Sequence, residues 1–103
     1  MYKLAFYVPV ADAESVKRAV FEAGAGCVGA YEHVCFQTRG VGQFRPLDGA
    51  RPHIGSVGEL EQVEEFKVEM VCDDAHIHRA ISALKLAHPY EEVAYEVWRL
   101  ADL

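Results

Sequence analysis

The run His88-Pro89-Tyr90-Glu91-Glu92 gathers an imidazole, a phenol and two carboxylates within five residues. A proline holds them in one stiff corner. Such a set can bind a small polar ligand or a cation, and at a subunit boundary it would be a natural site. His88 closes a helical pattern, so its cation is favoured by the carbonyl end of the helix and further by a nearby carboxylate. A second reading needs no ligand: the His and Glu side chains satisfy backbone groups and lock the following strand into register. This stiff-corner reading explains every residue of the run and is the favoured one. Where a ligand is bound, the candidate residues are His88, Tyr90, Glu91 and Glu92, with Arg45 from the glycine-rich middle of the chain.

The other histidines offer less. His33 and Cys35 are two apart on an expected strand and share a face, which is workable ligand geometry if His88 or another group completes the set. The residues His33, Cys35 and His88 are therefore the metal candidates, with a divalent ion as the cofactor they would hold. No H-x-x-x-H, H-E-x-x-H or carboxylate-rich cluster accompanies them. His76 and His78 are two apart on a helix and diverge, and His53 lies in a loop. Cys27, Cys35 and Cys72 match neither a zinc knuckle nor C-x-x-C and read as small hydrophobes of a reducing compartment. Gly24-x-Gly26-x-x-Gly29 follows a helix and precedes a strand, so no helix N-terminus faces a phosphate and the dinucleotide reading fails. Ser15, Ser56 and Ser82 form no nucleophilic triad with these histidines.

Two strand-plus-helix halves position these groups. Leu4, Phe6 and Val8 alternate with Lys3, Ala5 and Tyr7, which predicts a strand over Tyr2–Val8 ended by Pro9. Asp12 is placed to cap a helix carrying Val16, Ala19, Val20 and Ala23 at i, i+3, i+4 and i+7, and Gly24-Ala25-Gly26 stops it. The second half repeats the grammar. Phe66, Val68, Met70 and Cys72 alternate, Asp73 or Asp74 caps, and Ile77, Ala80, Ile81 and Leu84 form the stripe of a helix that ends at His88-Pro89. A last strand runs from Val93 to Leu100. Between the halves, Val34–Thr38 reads as a strand, Gly40-Val41-Gly42 as a turn and Gln43–Arg45 as a short strand, followed by loop to Gly58. The expected architecture is one domain over residues 1–103, α+β, a ferredoxin-like β-α-β-β-α-β sandwich. An antiparallel sheet has both helices on one face, and an irregular glycine-rich segment occupies 40–58.

The 103 residues carry ten basic groups, scattered, and a net charge of −6. An acidic surface repels phosphate backbones, which argues against a nucleic-acid partner. No apolar run is long enough to span a bilayer, and no leader pattern opens the chain, so a cytoplasmic protein is expected. Tyr2, Tyr7, Phe36, Phe44, Val71, Tyr95 and Trp98 are more apolar groups than one covered face can absorb. A homo-oligomer, dimer or trimer, would bury the excess; a glycine-rich middle folded over the sheet of a monomer is the competing solution.

The segments Gly24-Ala25-Gly26, Gly29-x-Tyr31, Cys35 to Thr38, Gly40-x-Gly42-Gln43-Phe44-Arg45-Pro46, Gly49-Ala50-x-Pro52-x-Ile54-Gly55 and Ala87-His88-Pro89-Tyr90-Glu91-Glu92 together resemble the NGG-interacting-factor-three-like family, the GTP cyclohydrolase I type 2 homologs. The resemblance covers nearly the whole chain but only one part of the larger family members, the domain inserted between the halves of their dinuclear-metal core. It therefore implies a stand-alone PII/CutA-like domain without the metal ligands of that core, and neither metal site nor cyclohydrolase activity carries over. The His88-Pro89-Tyr90-Glu91 turn is similar to one in the CutA-type family, although Val93-Ala94 stands where that family has a further proline. The resemblance implies a non-enzymatic, oligomeric regulatory or accessory domain for a small ligand, a metal ion or a protein partner. The alternative is a metal-binding or metal-dependent hydrolase-related protein with its site at the subunit boundary, built from His88, Glu91, His33 and Cys35.

Overall fold

In the computed structural model, which describes residues 1–103, the chain runs β1 (Tyr2–Pro9), α1 (Ala13–Glu22), β2 (Phe36–Phe44), β3 (Glu61–Cys72), α2 (Ile77–Ala87) and β4 (Tyr95–Arg99). One antiparallel sheet holds all the strands in the order β2-β3-β1-β4. That order, with both helices in one layer, is the ferredoxin-like α+β sandwich.

Register assigns each side chain to a face. Leu4 stands opposite Met70 and Val97, and Phe6 opposite Val68 and Tyr95. These positions point toward the helices and meet Val16, Val20, Ile77, Ala80 and Leu84 in one core. Leu4, Phe6, Val8, Val16, Val20, Val68 and Leu84 are fully buried. At roughly 1.5–3 kcal/mol for each large apolar side chain removed from water, this cluster is the main source of stability. Tyr2 and Tyr95 also fall on the helix side and pack against the core. They are therefore not part of the apolar excess assigned to the far face.

The far face carries Lys3, Ala5 and Tyr7 of β1, Glu65, Lys67, Glu69 and Val71 of β3, Phe36 of β2 and Trp98 of β4. Phe36 is 68% exposed and Trp98 45%. Charges interrupt the aromatic groups, so this surface is mixed rather than continuously apolar. The segment after β2 folds over only one end of it, against Tyr7, Gly42, Phe44 and Glu65.

Several local expectations need correction. Gly40-Val41-Gly42 is not a turn: β2 runs unbroken through it, laddered to Glu65, Glu64 and Val63. The ladder outweighs the backbone entropy that glycine costs a strand. For the same reason β3 begins at Glu61, earlier than its apolar alternation suggests, and the β2–β3 pair extends beyond the end of β1. Residues 34 and 35 precede β2, and His33 has φ +56°. Asp12 occupies the N-cap of α1 but its side chain makes no cap bond, because a single 3-10 turn over Val10–Asp12 leads into the helix. At α2 the N-cap is His76, whose backbone N–H donates to the Asp73 carboxylate at 2.9 Å.

Candidate functional site

The corner between α2 and β4 is held by His88. Pro89 ends the helix, and the His88 N–H still closes its last turn on the Leu84 carbonyl at 2.9 Å. The side chain then folds inward and is 5% exposed. Its Nε2 lies 2.8 Å from the Tyr7 carbonyl oxygen, and its Nδ1 lies 3.1 Å from the Tyr90 backbone nitrogen. A carbonyl can only accept and an amide N–H can only donate. The ring must therefore be the neutral tautomer with its proton on Nε2. Burial holds its pKa below the ordinary histidine value, against the opposing pull of the Tyr7 carbonyl and Asp12. Protonation would also turn Nδ1 into a donor facing a donor. Both ring nitrogens are thus engaged with backbone, and His88 ties β1 to the start of the last loop.

Tyr90, fixed by that contact, stands edge-on to His88 (ring centroids 4.9 Å apart) and to Phe44 (6.0 Å). His53, from the segment after β2, lies 6.3 Å from the same ring. The Tyr90 hydroxyl is buried without a hydrogen-bond partner. Burial first, then the negative charges of Glu65, Asp12 and Glu61, push its pKa up to about 12. Glu91 fastens the loop to the corner, its Oε1 accepting from the Arg51 backbone N–H at 2.9 Å.

Between the loop, the corner and the end of the sheet lies a cavity of about 500 Å³. Its walls are largely apolar: Phe44, Pro46, Leu47, Pro52, Ile54 and the Tyr90 ring. Polar groups enter from Tyr7, Arg45, His53, Glu65, Glu91 and Glu92. The Tyr7 hydroxyl donates to Glu96 at 3.1 Å, and its pKa is raised by burial and by that carboxylate. The Glu65 carboxylate lies over Gly42, where any Cβ would collide with it. Burial raises its pKa as well. A pocket of this size, mostly apolar with a few convergent polar groups, has the character of a small-molecule site.

Of the ligand candidates, Tyr90, Glu91, Glu92 and Arg45 share this cavity, whereas His88 stands behind Tyr90 as its support. The metal candidates are not brought together. His33 stacks on Phe21 near the C-terminal end of α1, with ring centroids 4.9 Å apart. His88 stands at the C-terminal end of α2. The helices run in opposite directions, the close of α1 meeting the start of α2 where Gly24 touches His76. His33 and Cys35 thus lie at the other end of the molecule from His88. No group of three His, Cys, Asp or Glu side chains converges closely enough to hold a metal ion, so the residues present do not fit a metal centre. Tyr7, Gly42, His53 and Glu65 were not among the sequence candidates. For Glu65 a signal existed in the alternation Val63, Glu65, Lys67, Glu69, which sets all four on one face.

Comparison with known proteins places these features. No protein-family profile matches the chain. It is 49% identical over 96 residues to the GTP cyclohydrolase 1 type 2 homolog of Bacillus subtilis, covering 93% of this chain and 26% of that protein. The homolog from Mycobacterium tuberculosis is 46% identical over 98 residues, again with 26% of its length covered. Among solved structures, a Bacillus cereus protein related to NIF3 superposes with a TM-score of 0.83 at 40% identity, covering 98% of this chain and 26% of that one. CutA1 from Pyrococcus horikoshii gives a TM-score of 0.70 at 14% identity, covering 100% of this chain and 86% of its own, which is a likeness of fold. The chain spans about a quarter of the length of the curated relatives it matches. No helix is long and apolar enough to cross a membrane.

Proposed function

We propose that this chain, which matches about a quarter of the length of the GTP cyclohydrolase 1 type 2 homologs, is a non-enzymatic regulatory or accessory domain that binds a small ligand between Phe44, Glu65 and Tyr90. The observation that carries this reading is the apolar cavity of about 500 Å³ closed by the corner His88–Glu92. Binding rather than reaction is favoured by the state of the groups around it. His88 has no free ring nitrogen to act as a base, and the Tyr90 phenol, raised to about 12, keeps its proton at neutral pH. The metal-dependent alternative would need ligands that His33, Cys35 and His88 do not assemble.

Assembly into a homo-oligomer, dimer or trimer, through the far face of the sheet belongs to the same reading. Its support is the exposure of Phe36 and Trp98 on a surface that the middle segment covers only at one end. An aromatic surface with charges of both signs suits a self-complementary contact. Light scattering giving a clean 11.5 kDa species would remove this part.

The ligand part is tested by amide NMR with benzamide and indole as neutral ring probes at roughly millimolar concentration. Shifts should cluster at Gly42, Phe44, His53 and Tyr90, and should vanish in Ala50→Trp, which fills the cavity from the loop side. Shifts scattered over the surface, or unchanged in that variant, would overturn the reading.

A further inference from the structure

The polar side of this cavity is unbalanced in charge, and the imbalance is greatest where water is scarcest. Glu65 is half-buried beneath the segment that follows β2. It takes part in no ion pair and accepts no hydrogen bond. Its place is created by Gly42 on the neighbouring strand, since any side chain there would push the carboxylate away. Glu91 and Glu92 add negative charge at the rim, while Arg45 and His53 are the only basic side chains on the lining. Arg45 and His53 are both exposed, so their charge is screened by water, whereas that of Glu65 is screened less. A partly buried carboxylate without a partner is costly, and the cost is removed by a cation that brings its own N–H donors.

The walls add shape. Phe44 and Tyr90 meet at 62° with centroids 6.0 Å apart, leaving an aromatic corner beside the carboxylate. Aromatic faces attract cations as well as flat rings.

We propose that the cavity takes a small, flat, positively charged ligand, an aromatic or heteroaromatic ring bearing an amidinium or ammonium group, with the ring against Phe44 and Tyr90 and the charge on Glu65. This proposal rests on the reading of the cavity as a ligand site and adds the class of ligand. The raised pKa of the Tyr90 hydroxyl, due first to burial and then to the carboxylates of Glu65, Asp12 and Glu61, agrees with it.

Three probes that share one ring and differ in charge test it: benzamidine, benzamide and benzoate, titrated into the protein by calorimetry. Benzamidine should bind about 10-fold tighter than benzamide, a difference of about 1.4 kcal/mol, and benzoate weakest of the three. In Glu65→Gln, whose fold is checked by circular dichroism, the benzamidine advantage should disappear, leaving benzamidine and benzamide with affinities within about 2-fold of each other. Benzoate binding as tightly as benzamidine, or an advantage that survives Glu65→Gln, would overturn the charge assignment. Benzamide binding without any charge preference would leave the ligand-site reading standing and remove this one. Binding of none of the three would remove both.

Discussion

Replacing His88 by alanine should destabilise the protein by about 3 kcal/mol. The imidazole satisfies two backbone groups, the Tyr7 carbonyl at 2.8 Å and the Tyr90 N–H at 3.1 Å, from a position that is 5% exposed. Each buried group left without a partner costs roughly 1–3 kcal/mol, and water entering the vacated space brings the sum toward the lower half of the range. For a domain of this size about 3 kcal/mol corresponds to a fall in Tm of roughly 12–24 °C. Urea unfolding followed by circular dichroism measures it, with an unchanged m-value showing that the unfolded ensemble is the same. His88→Gln supplies an amide N–H where Nε2 stands and should recover about half of the loss, because only the Tyr7 contact is rebuilt. The pH dependence has a definite sign. The folded pKa of His88 is depressed, so below about 6.5 the unfolded chain takes up the proton that the folded chain refuses. Its contribution is complete above that pH and is lost as pH falls toward the folded value; His88→Gln should lack this decline. A loss under about 1 kcal/mol in His88→Ala, or a variant with the same slope between pH 6.5 and 5 as the parent, would refute the reasoning.

Two further outcomes follow from packing. Gly26 has φ +78°, and a Cβ there would press on the Phe21 ring and stand 3.0 Å from the Val34 carbonyl. Gly26→Ala should therefore cost about 2 kcal/mol or more, and a shift in the urea midpoint worth less than about 0.5 kcal/mol would contradict the geometry. The thiols should divide by burial: Cys27 is exposed, while burial pushes Cys72 up to about 11. Ellman's reagent at neutral pH should label Cys27 at once and Cys72 only as fast as the protein unfolds, so equal rates for the two would show that the end of β3 is not packed as described.

What could be read from residues alone follows the strength of their periodicity. The stripe Val16, Ala19, Val20, Ala23 and its counterpart Ile77, Ala80, Ile81, Leu84 each have one structural solution, and α1 and α2 form where those stripes lie. The alternation through Leu4, Phe6 and Val8 likewise predicts β1. Gly40-Val41-Gly42 misleads because glycine's turn preference is local, whereas its place in β2 is set by a ladder to residues more than twenty positions away. The same limit applies to the site. The corner His88–Glu92 is visible as a run, but Tyr7, Gly42 and Glu65 reach it through register, and His53 through the path of a loop with little pattern. The expectation of an apolar far face failed in part for a related reason. Tyr2 shares the alternation of Leu4, Phe6 and Val8 and so falls on the core side, whereas Tyr95 belongs to a short strand whose facing the pairing with Phe6 decides.

The corner's composition offers groups that could hold a ligand or a cation, yet His88 and Glu91 are already engaged with backbone. His88 is the residue type most often found in proton transfer at neutral pH, but a ring whose one nitrogen donates to a carbonyl and whose other accepts from an amide cannot exchange a proton without breaking a contact. Glu91 is similarly engaged with the Arg51 N–H. Their joint effect is to hold the Tyr90 ring and the loop at fixed places around the end of the sheet. A rigid wall loses little entropy on binding, so on the proposed reading these groups would raise the affinity for a ligand in the space they frame. On the same reading the charge of the ligand would be selected by Glu65, the one half-buried carboxylate in that space with no partner of its own. Position 42 decides whether it can remain there, since the absence of a side chain on β2 is what leaves room for the charge.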